Sequence, residues 1–241
     1  IFSVEAGYLR CQQLWGIEID NEHKDVVSVY LGDLGRDLPA QEQAHWKQYN
    51  IATDEKLSTN AIKKDFLCAF TRPEISDLKF KSNFEQFVDA WRKKYQWDLF
   101  LPLSQDDEYN FKTLHLPITG GQEEFDHLVL SLVKTIIDSL NEKEIVKQFK
   151  NSTDLKGGIS KLEYWFSELN LSDYQQQIKF LRNLQELRST GTGHRKGKGY
   201  KKIAEVFGLD TDNYVDVFDR ILLQANAFIL FLTTNFLPSD S

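Results

Sequence analysis

One segment of the chain differs from the rest in both charge and glycine content. Arg188 to Lys202 reads RSTGTGHRKGKGYKK: six cations (Arg188, Arg195, Lys196, Lys198, Lys201 and Lys202) and no acid. The chain as a whole carries 29 Lys+Arg against 36 Asp+Glu, a net charge of -7, so this window is a local positive field that attracts phosphate. Gly191, Gly193, Gly197 and Gly199 leave backbone N–H groups open to close approach by an anion. Arg188 stays charged and offers a planar fork matched to phosphate oxygens. His194, with an ordinary pKa of about 6.5, exchanges protons near neutrality. Ser189 and Thr190 can add polar contacts, and Arg195, Lys196, Lys198 and Lys201 can hold flanking phosphates. Tyr200 either stacks on a base or packs at the start of a helix. The plainer alternative is a solvated loop between helices.

The familiar nucleotide motifs do not fit this segment. A P-loop requires G-x4-G-K-[S/T], and Gly191 is followed five positions later by Lys196. A dinucleotide fingerprint requires G-x-G-x-x-G after a strand, and the element before Gly191-x-Gly193 reads as a helix. Elsewhere the candidate chemistry is sparse. His127 beside Asp126 reads as a surface or packing residue. His23 and His45 have no partner at metal-ligand spacing, and His115 reads as structural. Asp106, Asp107 and Glu108 read as a turn, and a carboxylate metal site there lacks a second acidic cluster. Cys11 and Cys68 form neither a disulfide framework nor a zinc site, so the expected setting is a reducing cytosol.

The elements that must position these residues fall into two parts. Val26–Leu31 (VVSVYL) predicts a strand closed by Gly32 and Gly35. Ser58–Phe70 predicts a helix. Phe84, Phe87, Val88, Trp91 and Tyr95 predict another, with Ser82 and Glu85 as its capping box. Asp98–Leu103 and Tyr109–Leu116 predict a strand pair around the turn at Ser104–Asp107. Together these make a small α+β unit over residues 1–120, ended by Pro117 and the Gly120-Gly121 pair. Residues 121–241 then read as an antiparallel helical bundle. Its helices are expected at Glu123–Phe149, after Gly157-Gly158, after a Ser172/Gln175 cap and ending in Arg188, at Tyr200–Phe207, and at Asn213–Phe236 before Pro238. The fold class is mainly α.

The 241 residues suit one large domain or two small ones. With 41% hydrophobic residues, 17 Phe, nine Tyr and five Trp, a buried core is expected, which excludes disorder and collagen-like repeats. No apolar run approaches the ~18 residues of a membrane span, and no leader peptide is expected from the polar start. The chain contains no Met, which leads to the expectation that it is a piece of a longer protein.

The spacing of Arg188 and His194, R-x5-H in R-S-T-G-T-G-H, resembles the R-x4-6-H motif of the HEPN superfamily. These helical-bundle proteins include many metal-independent bacterial ribonucleases of defence and toxin systems. The resemblance covers roughly Glu123 to Phe236, with the motif placed at the end of a middle helix of the bundle. It implies a cytoplasmic endoribonuclease without cofactor or metal, with Arg188 and His194 as its catalytic residues. Two such pairs would converge in a homodimer, leaving a 2′,3′-cyclic phosphate and a 5′-OH. It further implies RNA as substrate, and as a further partner either another domain of a longer chain or an antitoxin-like protein. Gly191 and Gly193 depart from the family pattern, because a continuous helix through them is not expected and His194 would then sit on a loop. A bundle that binds nucleic acid or a nucleotide and oligomerises without cutting, or a purely structural interaction domain, stays open.

Overall fold

The computed structural model describes residues 2–5, 7–12, 14–23, 25–52, 75–150, 154–191, 198–209 and 212–237. It is mainly helical, with a small antiparallel sheet near the start. Packing divides the chain into two units, residues 1–82 and 83–241. The division falls well before the Gly120-Gly121 pair. Residues 117–121 form a turn fastened by Glu124, whose carboxylate accepts from the Ile118 and Thr119 N–H groups (2.9 and 2.8 Å) and from the Thr119 hydroxyl.

In the first unit, strands β1 (Phe2–Glu5), β2 (Tyr8–Cys11) and β3 (Trp15–Glu18) form a meander in the order β1-β2-β3. Val4 pairs with Leu9, and Leu9 with Ile17, so one face carries an apolar row. Asn21 ties the first turn: its Oδ1 accepts from Gly7 N–H and its Nδ2 donates to the Glu5 carbonyl, both at 2.9 Å. Helices α1 (Leu31–Asp37) and α2 (Ala40–Gln48) follow. Ile17, Ile19 and Leu38 form the buried cluster, with Leu9, Trp15, Val29, Leu34 and Trp46 packed around it. The expected strand at Val26–Leu31 does not form. Ser28 makes one bridge with Asp20, and Leu31 already opens α1; β-branched composition yields a strand only where a neighbour pairs along its length. The helix expected at Ser58–Phe70 lies outside the described residues.

Helix α3 (Ser76–Tyr95) has the expected apolar spacing but begins six residues before Ser82, so Ser82 and Glu85 lie inside it and form no capping box. The second unit, to which α3 belongs from Asn83 on, contains α4 (Glu108–Lys112), α5 (Gln122–Val133), a π-helical turn at Lys134–Asp138, α6 (Glu142–Lys147), α7 (Gly158–Glu168), α8 (Tyr174–Gly191), α9 (Lys198–Phe207) and α10 (Tyr214–Phe236).

The long helix expected at Glu123–Phe149 is broken, and the strand pair expected at Asp98–Leu103 and Tyr109–Leu116 is absent. One arrangement explains both. Leu101 N–H donates to the Ser139 carbonyl (2.7 Å) and Asn141 N–H to the Leu99 carbonyl (2.9 Å), so the extended segment pairs with the helix break. Asn141 then caps α6 by accepting from Glu144 N–H at 3.3 Å. Gly158, at the start of α7, allows the close approach of Leu140, whose Cδ1 and Cβ stand 3.1 and 3.2 Å from where a Cβ would project. The second predicted strand is helical at α4 instead. There Asn110 is fully buried and accepts from the Ser131 hydroxyl.

α5, α7, α8 and α10 present buried stripes that include Phe125, Leu132, Leu162, Phe166, Leu181, Leu184, Ile221, Leu222, Phe228 and Leu232. α3 and α10 run in the same direction: Asn83 Nδ2 donates to Asn226 Oδ1 (3.0 Å), while Lys94 Nζ and Tyr95 Oη both donate to the Phe236 carbonyl (2.9 and 2.8 Å). Trp91, Trp165 and Phe236 fill the space between, with ring centroids 5.0 to 6.3 Å apart.

Candidate nucleic-acid interface

α8 carries Arg188 because its buried stripe (Ile178, Leu181, Leu184, Leu187) fixes the helix's rotation on α5 and α7. Leu187 is buried, so the next residue, Arg188, is turned to the rim and is half-exposed. The helix does not end at Arg188. It continues three residues further, to Gly191. Ser189 and Thr190 are therefore helical, and both hydroxyls donate back to the Glu186 carbonyl, at 3.1 and 2.7 Å. Such local bonds are how hydroxyl residues settle inside a helix.

Arg188 Nη2 donates to Asp138 Oδ2 at 2.9 Å. Asp138 is the last residue of the π-helical turn, while Lys134, the first, donates from Nζ to Asp107 Oδ1 at 2.6 Å. Both charged ends of the turn are thus engaged, between the buried Thr135, Ile136 and Ile137. The Lys134 ammonium, opposed in part by burial and aided by Ser104 and Asn110, holds the Asp107 carboxyl below the usual carboxylate range. π-turns of this length inside α-helices occur frequently at functional sites.

α9 begins immediately beside the end of α8. The Tyr200 ring reaches to 3.5 Å from where a Gly191 Cβ would stand, and Thr190 Cγ2 is equally near the corresponding point on Gly199. Gln122 Nε2 donates to Tyr200 Oη at 3.4 Å. Tyr200 is half-buried in this packing, and Lys201 and Lys202 are exposed on the same helix. Lys198 opens α9. His194, Arg195 and Lys196 lie outside the described residues, so among the predicted residues Arg188, Ser189, Thr190, Tyr200 and Lys201 are placed along the adjoining ends of α8 and α9.

Asp138 and Asp126 are the residues that sequence reasoning missed. Asp126 Oδ1 is 3.5 Å from the Cβ position of Gly191, and Asp138 is the partner of Arg188. Neither carries a local signal, because Asp138 and Arg188 stand 50 positions apart. Among the described residues no group of three or more His, Cys, Asp or Glu gathers to hold a metal ion, and no helix is long and apolar enough to cross a membrane. No family model, no curated protein and no solved structure matches the chain.

Proposed function

We propose that the protein is a metal-independent endoribonuclease of HEPN type, belonging to a bacterial defence or toxin system and acting in the cytoplasm. The reading is carried by a half-exposed Arg188 in the last turn of a bundle helix, just before the basic, glycine-rich run that contains His194. In this reading the Arg188 guanidinium stabilises charge growing on the scissile phosphate, and His194 moves the proton of the attacking 2′-OH. Lys201 with Arg195, Lys196 and Lys198 holds flanking phosphates. A second copy completes the site. Support for self-association comes from α10, where Leu223, Ala227 and Leu230 are exposed at spacings of four and three on a helix with no charged residue after Arg220.

A second reading, a module that binds nucleic acid through its other cations without cutting it, is favoured by one specific observation: the guanidinium of Arg188 is engaged by a carboxylate rather than open to a scissile phosphate. Incubating RNA with the wild-type chain, His194→Ala and Arg188→Ala in the presence of EDTA separates the two. The ribonuclease reading expects fragments ending in 2′,3′-cyclic phosphate from the wild type, and a fall in rate of at least about 100-fold in His194→Ala, the scale of a lost general acid–base. RNA bound but left intact by all three proteins supports the binding module instead, and no binding at all supports a structural interaction domain.

A further inference from the structure

The pairing of Arg188 with Asp138 bears on how the site meets its substrate. The Asp138 carboxylate and a phosphodiester oxygen are the same kind of acceptor, planar or tetrahedral oxygens carrying negative charge, and both seek the guanidinium fork. The Arg188 Nη2 donor that reaches Asp138 at 2.9 Å cannot serve a phosphate in the same direction. Both side chains retain about a third of their exposure, 32% for Arg188 and 38% for Asp138. The pair is therefore screened by water and weak enough to exchange. Asp138 closes a π-helical turn whose central residues Thr135, Ile136 and Ile137 are buried and whose other end is fastened through Lys134 to Asp107. The carboxylate is thus delivered by a firmly anchored piece of backbone, in a place where a regular helix would turn it elsewhere.

We propose that Asp138 is an internal competitor for phosphate at Arg188: it occupies the guanidinium in the free protein and sets the affinity that an RNA backbone must reach to displace it. This rests on the reading of Arg188 as a phosphate contact. Exchange moves one ion pair for another, with no covalent step, and Asp138 turns out to solvent when the phosphate enters. The consequence is selective. A polyanion that engages several cations at once, including Lys201 and Lys202 on α9, gains enough to open the pair, whereas an isolated phosphate does not.

The test is binding of a short 2′-O-methyl oligoribonucleotide, which cannot be cleaved through its 2′ oxygen, by fluorescence anisotropy. Asp138→Asn is expected to bind about fivefold tighter than wild type, the scale of one exposed ion pair that need not be broken. Glu186→Gln, which removes an exposed acid on the same helix as Arg188, controls for the general gain from one fewer negative charge, expected below about twofold at physiological salt. In an Arg188→Gln background the gain from Asp138→Asn is expected to shrink to that same level. Equal gains from Asp138→Asn and Glu186→Gln overturn the proposal, as does a gain that persists in full without Arg188. No binding by Asp138→Asn overturns both this proposal and the RNA reading beneath it. The expected order of affinities together with no cleavage of unmodified RNA upholds the competition while overturning the ribonuclease.

Discussion

The two units bury their apolar residues very differently. In residues 83–241 the interior holds Phe125, Phe166, Phe218, Phe228 and a layer of Leu and Ile, all fully buried. Among the described residues of the first unit, the cluster around the sheet rests on Ile17, Ile19 and Leu38, with Leu78 and Phe80 buried on α3, while Leu14 (75% exposed), Leu31 (82%) and Tyr49 (70%) face outward. Small assemblies bury a smaller fraction of their surface and keep a smaller margin of stability. The candidate interface belongs to the unit with the larger interior. That is the useful arrangement for a site whose geometry must not drift: Arg188 follows the buried Leu187, and Asp138 the buried Ile137.

The sharpest way to break this comparison is to open the larger interior. Phe228→Ala removes a fully buried ring beside Phe100 and is expected to cost about 3–5 kcal/mol, read as a lower urea midpoint in the transition that Trp91 and Trp165 report. A midpoint unchanged would show that the second unit is not organised around this layer. Ile17→Ala, in the smaller cluster, is expected to cost about 2 kcal/mol, the low end for such a truncation, because the side chains packed around it are mostly only partly buried and can close in on the space. Hydrogen exchange should show faster opening of the β1–β3 amides, with the Trp91 transition left in place; a shift of both would mean that the units share one cooperative transition.

The smallest expected effect is on acid stability. Burial pushes the Glu124 carboxyl up, but the Ile118 N–H, the hydroxyl and N–H of Thr119 and the nearby His115 outweigh it and leave the group below its ordinary value. The stabilisation is therefore complete above the ordinary carboxylate range and lost as pH falls through the lower, folded-state value. Glu124→Gln should flatten that part of the acid limb in the second unit alone, measured as urea midpoint against pH.

Much of the fold was legible because long helices announce themselves. The stripes Phe84–Tyr95, Ile178–Leu187 and Phe218–Leu232 follow a 3.6-residue period, and each lies in a helix of 18 residues or more. The sheet was not read, since each strand has only four residues and offers too short an alternation. The exchange between Leu99–Leu101 and Ser139–Asn141 is invisible for another reason: backbone pairing between distant segments leaves no periodicity, and the apolar spacing of Phe125–Leu140 runs unbroken up to the break. At the candidate site the sequence singled out Arg188 from its basic surroundings, whereas its carboxylate partner emerged only from packing. Tyr200 was open between stacking and packing, and its ring lies against Gly191.

The alignment of α3 with α10 has a consequence for the order of events on the ribosome. Asn83 and Asn226 meet across 143 positions of chain, and Phe236 closes the aromatic layer begun at Trp91. Until α10 has emerged from the exit tunnel, the side of the Trp91–Trp165 layer that Phe236 covers stays open. The nascent chain must then wait as a partly open assembly, where a holding chaperone has the most to offer.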